Sequence, residues 1–584
     1  MRSGESLNQP VSARSFRSLG GSALLLAAGW LWLAVGLWPY AKAQALGTIV
    51  YNDYGYYRLP LALAPARWWA LRGLLLGATL VGAALLAGRE RTNMLLELRI
   101  AGRRGIQRIR RWPRPALGIA LGLVVMLIGV RLWYLLQYPL STDEVGSYDF
   151  FVAHGPLAIS SYYPIPNNHI FYNLLAWPGF ALGLPPRWVM RLPTLLVGAA
   201  GTVVGYLLLA RLVGLRLATL VTGLVGVGPL WVYYGAVGRG YFLQFCFLQL
   251  GFFTVLELLR PASRYRQLAW AGFVGSSILG LYTIPTYAYP LVGLSLALTG
   301  GLGRHRRLAE LVWAGLIIGT VSLMLYAPVG AVSGWNRLLG NRYVAMHDAA
   351  QFWPAFRAVL YETAAELFGP SLRLSGPTWL GAALLGGWAA HRLLPAGPRR
   401  QAALLAWVLL ATPLLLMAAQ RVYMPTRTLL HLTFAGYLLL GLLATQAGQR
   451  GTRRFNRLRW PLIIVIVLGT GSFRLYRNYP QLRYAQYETQ LIEQSYQWLR
   501  QQPRSPGRTT RVWLRAPLHA LFFAHYNQTT AELQPLLFTR NETWPSEFFD
   551  FAVFSNRFPA PTSSQTEGYR FAYHDQLITI YAHN

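Results

Sequence analysis

Long apolar stretches separated by short polar, arginine-rich segments run through most of the chain. A helix that crosses a bilayer needs roughly 17–25 such residues, and by that measure about thirteen crossings are expected. They fall near 20–38, 69–88, 115–136, 189–211, 217–235, 240–258, 267–283, 286–301, 308–329, 377–393, 402–418, 428–446 and 460–473. Ile284-Pro285-Thr286 breaks the seventh from the eighth. Beyond 474 the pattern becomes polar and alternating. Tyr484–Gln501 reads as a helix, and Thr510–Leu514, Phe549–Phe554 and Leu577–Tyr581 read as strands. The expected fold is an α-helical polytopic membrane protein with a small C-terminal external α/β domain. Its expected parts are a two-span extension with a basic loop (1–114), a membrane domain (115–473) with long loops at about 137–188 and 330–376, and the tail (474–584).

Composition agrees: 54% of residues are hydrophobic, 12% are charged and the mean hydropathy is +0.32. Soluble chains carry about twice that charge fraction. Lys and Arg outnumber Asp and Glu by 53 to 20, a net charge of +33. The arginines cluster between apolar runs: Arg14 and Arg17; Arg89 to Arg114; Arg260 to Arg266; Arg304 to Arg307; Arg392 to Arg400; Arg450 to Arg459. With the spans counted as above, these clusters share one side. That is the positive-inside signature of membrane loops, so no nucleic-acid partner is expected. The N-terminus is then cytoplasmic, and both long loops and the tail are external. Cys246 is the single cysteine, which excludes an internal disulfide or a multi-cysteine metal site. The first span is expected to be an uncleaved anchor, since its apolar core is longer than that of a typical signal peptide.

Between 98 and 256 the only acids are Asp143, Glu144 and Asp149, all just beyond the third span. Ionisable groups near a membrane are costly and are functional candidates by default; the plain alternative is a set of solvated interfacial charges. The same level holds His169 (in Asn168-His169-Ile170), Arg191-Leu192-Pro193, Gly238-Arg239-Gly240-Tyr241, and a turn with Arg421 and Arg427. Carboxylates beside arginines at that depth suit a phosphorylated lipid. Trp335, Tyr343, Trp353 and Tyr361 on the second long loop suit either sugar stacking or an interfacial aromatic belt.

The ordered set Asp143-Glu144, His169, Arg191-Leu192-Pro193 and Arg239-Gly240-Tyr241 resembles the GT-C glycosyltransferases. It is most similar to the bacterial relatives of the protein O-mannosyltransferases and the lipid A aminoarabinose transferases. The resemblance is clearest over 137–260. Ile170 and Phe171 stand where the family often has prolines, and Val237-Gly238 where it often has an acid.

The resemblance implies a polyprenyl-phosphate-linked sugar as donor. The acceptor is an envelope glycan, lipid or protein at the external face of a bacterial plasma membrane. One carboxylate suffices as base for an inverting displacement, and Asp143 is assigned that role. Glu144 would orient Asp143, contact the acceptor or join a metal site. Arg191, Arg239 and Arg427 are the candidates for the leaving phosphate, with Arg342 and Arg421 behind them; His169 and Tyr241 complete the expected substrate contacts. A divalent metal held by Asp143, Glu144, Asp149 or His169 stays open. Two other functions stay open: a polysaccharide polymerase or ligase using undecaprenyl-diphosphate donors, and a transporter or flippase of lipid-linked sugars.

Overall fold

The structure, a computed structural model, describes residues 12–584 except 53–55, 88–93, 262, 304–306, 341–344, 370–375, 448–452, 504–508, 531–535, 541–546 and 563–564. Arg342 and Tyr343, and Arg89, Arg91, Arg304, Arg306 and Arg450 of the basic clusters, lie outside the described residues.

Each expected crossing falls on a helix. Among the described residues seven helices are long and apolar enough to span a membrane: Ala13–Gly36, Pro65–Ala87, Arg114–Gln137, Pro186–Val213, Gly240–Leu258, Leu308–Val332 and Pro398–Gln420. The remaining expected crossings are shorter, or continue into polar chain. The fifth is broken: Leu215–Gly226 is followed by a separate turn, Pro229–Tyr234, because Gly228 and Pro229 interrupt the ladder. The seventh and eighth, Arg266–Thr283 and Ala288–Gly303, are divided at Pro285 as the sequence indicates. The chain is a multi-pass membrane protein. Outward positions on its spans are apolar as well, with Leu80, Leu121, Val125 and Leu323 exposed, as a lipid solvent requires.

Arg114–Gln137 carries the chain to the end of the bundle where Asp143 sits. There the chain turns into a series of short helices: Thr142–Phe150, Gly155–Ser161 and Ile170–Ala181. The last helix, Arg453–Gln501, is continuous, so the thirteenth span and the tail's first helix are one element.

The tail holds a five-stranded mixed sheet. An N-terminal hairpin supplies β1 (Val50–Asn52) and β2 (Tyr56–Arg58); the tail supplies β3 (Arg511–Leu514), β4 (Leu537–Arg540), β5 (Phe551–Ser555), β6 (Tyr569–His574) and β7 (Ile578–His583), in the order β4-β3-β5-β7-β6. β3 is parallel to β4 and β5, and β7 is antiparallel to β5 and β6. Alternate residues of the central strands serve two cores. Val512, Leu514, Val553, Ile578 and Ile580 pack under Leu491, Ile492 and Tyr496 of the long helix, while Trp513, Ala552 and Phe554 pack on the other face. Sequence reading located β3, β5 and β7, which are mostly buried. It did not locate β4 or β6, whose residues are half exposed.

Candidate active site

Ser141 begins the helix that bears the acids. Its Oγ accepts the Glu144 N–H at 3.3 Å, and Glu144 accepts the Ser141 N–H at 2.9 Å, a reciprocal capping box. Glu144 is fully buried. Arg191 donates Nε and Nη2 to its two carboxylate oxygens, each at 2.7 Å, and the Gly238 N–H adds a bond of 2.6 Å. The other N–H groups of Arg191 go to the carbonyls of Leu135, Tyr138 and Pro139 at 2.7–2.8 Å, leaving it no donor for a ligand. Burial alone would raise the Glu144 carboxyl. The Arg191 charge and these bonds outweigh that and hold it below its ordinary value.

Each following residue of this helix with an inward side chain is also committed. Val145 is buried in the tail's core beside Leu491 and Ile492. Ser147 Oγ accepts from Arg239. Asp149 lies 2.8 Å from Nδ1 of His525 on the tail helix Pro517–Thr529. Burial raises the Asp149 carboxyl, and His525 offsets this only in part. Asp143 is different: its side chain is 47% exposed, and its carboxylate stands 3.8 Å from Nη2 of Arg239.

Arg239 is buried, with Nη1 donating to the carbonyls of Asp143 (3.1 Å) and Asn167 (3.2 Å). The two glycines around it permit close approach. A Cβ on Gly238 would stand 2.5 Å from the Met190 carbonyl oxygen, and one on Gly240 would meet Thr283 and His169. The Gly240 N–H donates to Nδ1 of His169 at 3.0 Å. A guanidinium only donates, and Nη2 of Arg239 lies 3.3 Å from Nε2 of the same ring, so both ring nitrogens face N–H donors and the single acceptor nitrogen of the neutral ring serves one of them. Burial first, then the charges of Arg239 and Arg427, hold His169 well below its usual pKa. It is therefore a neutral ring that packs against Arg239.

Tyr241 is the hinge of the constellation. The guanidiniums of Arg239 and Arg427 lie 6.0 and 5.8 Å from its ring centre, and the His169 edge meets it at 4.8 Å. Nε of Arg239 and Nε of Arg427 are both buried without a hydrogen-bond partner among the described residues. Arg427 also feels the Asp143 charge. It lines a cavity of about 970 Å³, whose walls include Tyr234, Glu366, Arg474 and Arg477. Two cations against one tyrosine, one of them lining a large cavity, form a candidate anion site.

Asp143, His169, Arg239, Tyr241 and Arg427 thus come together, with Glu144 and Arg191 directly behind them. Arg421 does not join this group in its described contacts; it touches Met346 and His347 instead. Asp143, Glu144, Asp149 and His169 do not converge. Among the described residues no three His, Cys, Asp or Glu side chains gather as metal ligands, and Glu144, Asp149 and His169 Nδ1 already have other partners. Trp353 and Tyr361 are exposed on the helix Ala349–Phe368, and Trp335 packs over Gly330. Sequence reading missed His525, Ser147, Tyr234 and the cavity arginines Arg474 and Arg477. The spacing Ser141-x-x-Glu144 was a legible signal that Glu144 closes a cap.

No protein-family model matches the sequence, and no curated protein is similar to it at a significant level. Among solved structures, ArnT from Cupriavidus metallidurans bound to undecaprenyl phosphate superposes with a TM-score of 0.50 at 15% identity, covering 80% of this chain and 98% of that one. The chain shares the fold of this ArnT. The apo state of the same ArnT gives a TM-score of 0.49 at 15% identity, over 79% of this chain and 98% of that one. At this identity the likeness concerns the fold and not any single residue.

Proposed function

We propose that the chain is a membrane glycosyltransferase. It moves a sugar from a polyprenyl-phosphate carrier to a hydroxyl-bearing envelope acceptor, a glycan, lipid or protein, on the outer face of a bacterial plasma membrane. The observation that carries this reading is Asp143: a half-exposed carboxylate 3.8 Å from Arg239, on a helix whose other acids are held by partners, with Arg427 of the neighbouring cavity wall against the same tyrosine as Arg239. The GT-C fold, and the undecaprenyl phosphate bound by the solved ArnT structure, support a lipid-linked donor. The arginine clusters at the opposite ends of the spans support an outward-facing Asp143.

The acceptor oxygen attacks the anomeric carbon, and the carbon–oxygen bond to the carrier phosphate breaks on the far side. The acceptor proton goes to Asp143, and the bonding pair leaves with the phosphate. A phosphate is a weak base and needs no general acid. Arg239 and Arg427 stabilise its charge, with neutral His169 beside Arg239. Tyr241 holds the two guanidiniums. Glu144 and Arg191 are positioning residues that fix the Asp143 helix against Pro186–Val213.

The test compares wild type with Asp143→Asn in detergent, each given polyprenyl-phosphate sugars from source membranes and envelope material as acceptor. Mass spectrometry follows free polyprenyl phosphate. A loss of about 100-fold or more with carrier binding retained fits a positioned base; equal release by both removes Asp143 from the chemistry.

One observation favours a second reading. Arg477 lies exposed on the cavity wall with no partner among the described residues, and so provides for a second phosphate. Release of the carrier as a diphosphate would select a polymerase or ligase.

A further inference from the structure

The helix Met94–Arg110 takes no part in the site. It connects Pro65–Ala87 to Arg114–Gln137, two membrane-spanning helices, at the end of the bundle away from Asp143. Successive residues turn by about 100°, which places Met94, Leu95, Leu98, Ile106 and Ile109 on one arc. That arc is uncovered: Leu95, Leu98 and Ile106 are exposed, and no residue of the helix is buried. Arg99, Arg103 and Arg110 form one border of the arc, and Arg104 and Arg108 lie toward the other.

The far flank is pinned to the protein. Glu97 accepts the Leu268 N–H at 2.8 Å, and Arg104 donates to the Tyr265 hydroxyl at 2.9 Å, with its guanidinium 5.9 Å from that ring's centre. The pin fixes the helix's roll, so that the Leu95–Ile106 side faces away from the bundle. The flanking spans fix its depth at the membrane surface.

We infer that this helix lies in the head-group layer on the side opposite Asp143, with its apolar arc in the acyl region and Arg99, Arg103 and Arg110 bound to anionic phospholipid head groups. Two features commit the occupant to lipid. Both ends of the helix are tied to spans. Three arginines border an apolar arc, and among the described residues none of them pairs with an acid; Glu97 is on the pinned flank, held by Leu268. The inference does not depend on the transferase reading.

The experiment uses the full chain carrying Cys246→Ala, with one cysteine introduced by Ile106→Cys or by Gln107→Cys and labelled with an environment-sensitive dye. The protein is placed in nanodiscs of phosphatidylcholine, alone or mixed with phosphatidylglycerol. The dye at position 106 is expected to emit as in an apolar medium and to be quenched by spin-labelled lipid, and the dye at 107 to emit as in water. Native mass spectrometry of retained lipid is expected to show phosphatidylglycerol enriched. That enrichment should fall by about fivefold for each arginine removed in Arg99→Gln, Arg103→Gln and Arg110→Gln. Water-like emission at 106, an apolar signal there that appears only when chains self-associate, or enrichment unchanged by the triple substitution would each overturn the inference.

Discussion

Asp149 and His525 are 376 positions apart in the chain and 2.8 Å apart in the fold. Both are buried, and together they seat the tail on the loop that bears Asp143. His525→Leu leaves a carboxylate buried without its partner, which costs about 3–5 kcal/mol. Asp149→Asn keeps an acceptor for the ring and costs only about 1 kcal/mol. A carboxyl whose folded pKa is raised contributes its stability below its unfolded value of 3.8, and that contribution is lost as pH rises through the folded value. The His525→Leu deficit should therefore be larger at mildly alkaline pH than in acid. Thermal unfolding of both variants across pH checks the sign, and a flat deficit would count against an ionised Asp149.

Glu144 has the opposite sign. Its folded pKa is depressed, so its stabilisation is complete above the ordinary value of 4.5 and lost as pH falls through the folded value. Arg191→Lys removes the two-pronged contact and strands carbonyls of Leu135, Tyr138 and Pro139. A loss of about 3–5 kcal/mol is expected, and turnover should fall together with the folded fraction. Full stability with lost turnover would instead make Arg191 a direct substrate contact.

Burial and the neighbouring arginines hold His169 well below its usual pKa, so it is expected to give no limb near 6.5 in the rate profile. His169→Gln retains an acceptor for the Gly240 N–H and should preserve the shape of the wild-type profile; His169→Ala strands that N–H, and should cost about 1–3 kcal/mol of stability together with a fall in kcat. Steady-state rates from acid to alkaline pH decide this. A limb near 6.5 that disappears in His169→Gln would contradict a neutral His169.

Arg427→Gln takes one guanidinium off the Tyr241 ring and is expected to weaken polyprenyl phosphate binding by about 1.5–3 kcal/mol. Arg421→Gln, whose contacts are with Met346 and His347, should change it little. Titration calorimetry with a short-chain polyprenyl phosphate separates the two.

Residues whose role is set by chain neighbours were legible in the sequence. Apolar length located the spans, and apolar runs located β3, β5 and β7. The acids stood out because so few others occur before Glu257. What stayed hidden depends on contacts between distant segments. Arg191 reads as a phosphate ligand until its N–H groups are seen to be spent on Glu144 and three carbonyls. His525 looks like any tail histidine until Asp149 is found against it. Asp149 looks equivalent to Asp143 in the sequence, and the fold buries one and opens the other.

The helix Arg453–Gln501 has a mechanical consequence. It is a single rod on the order of 70 Å long. Gly469 to Gln481 form part of the cavity wall, and Leu491 to Leu499 are core of the tail. Cavity width and tail position are therefore one coordinate, read at two stations of one lever, with Pro480 at the tail end of the first. A load on the tail's outer surface is felt beside Arg427, and a molecule filling the cavity pushes back on the tail by an equal free energy.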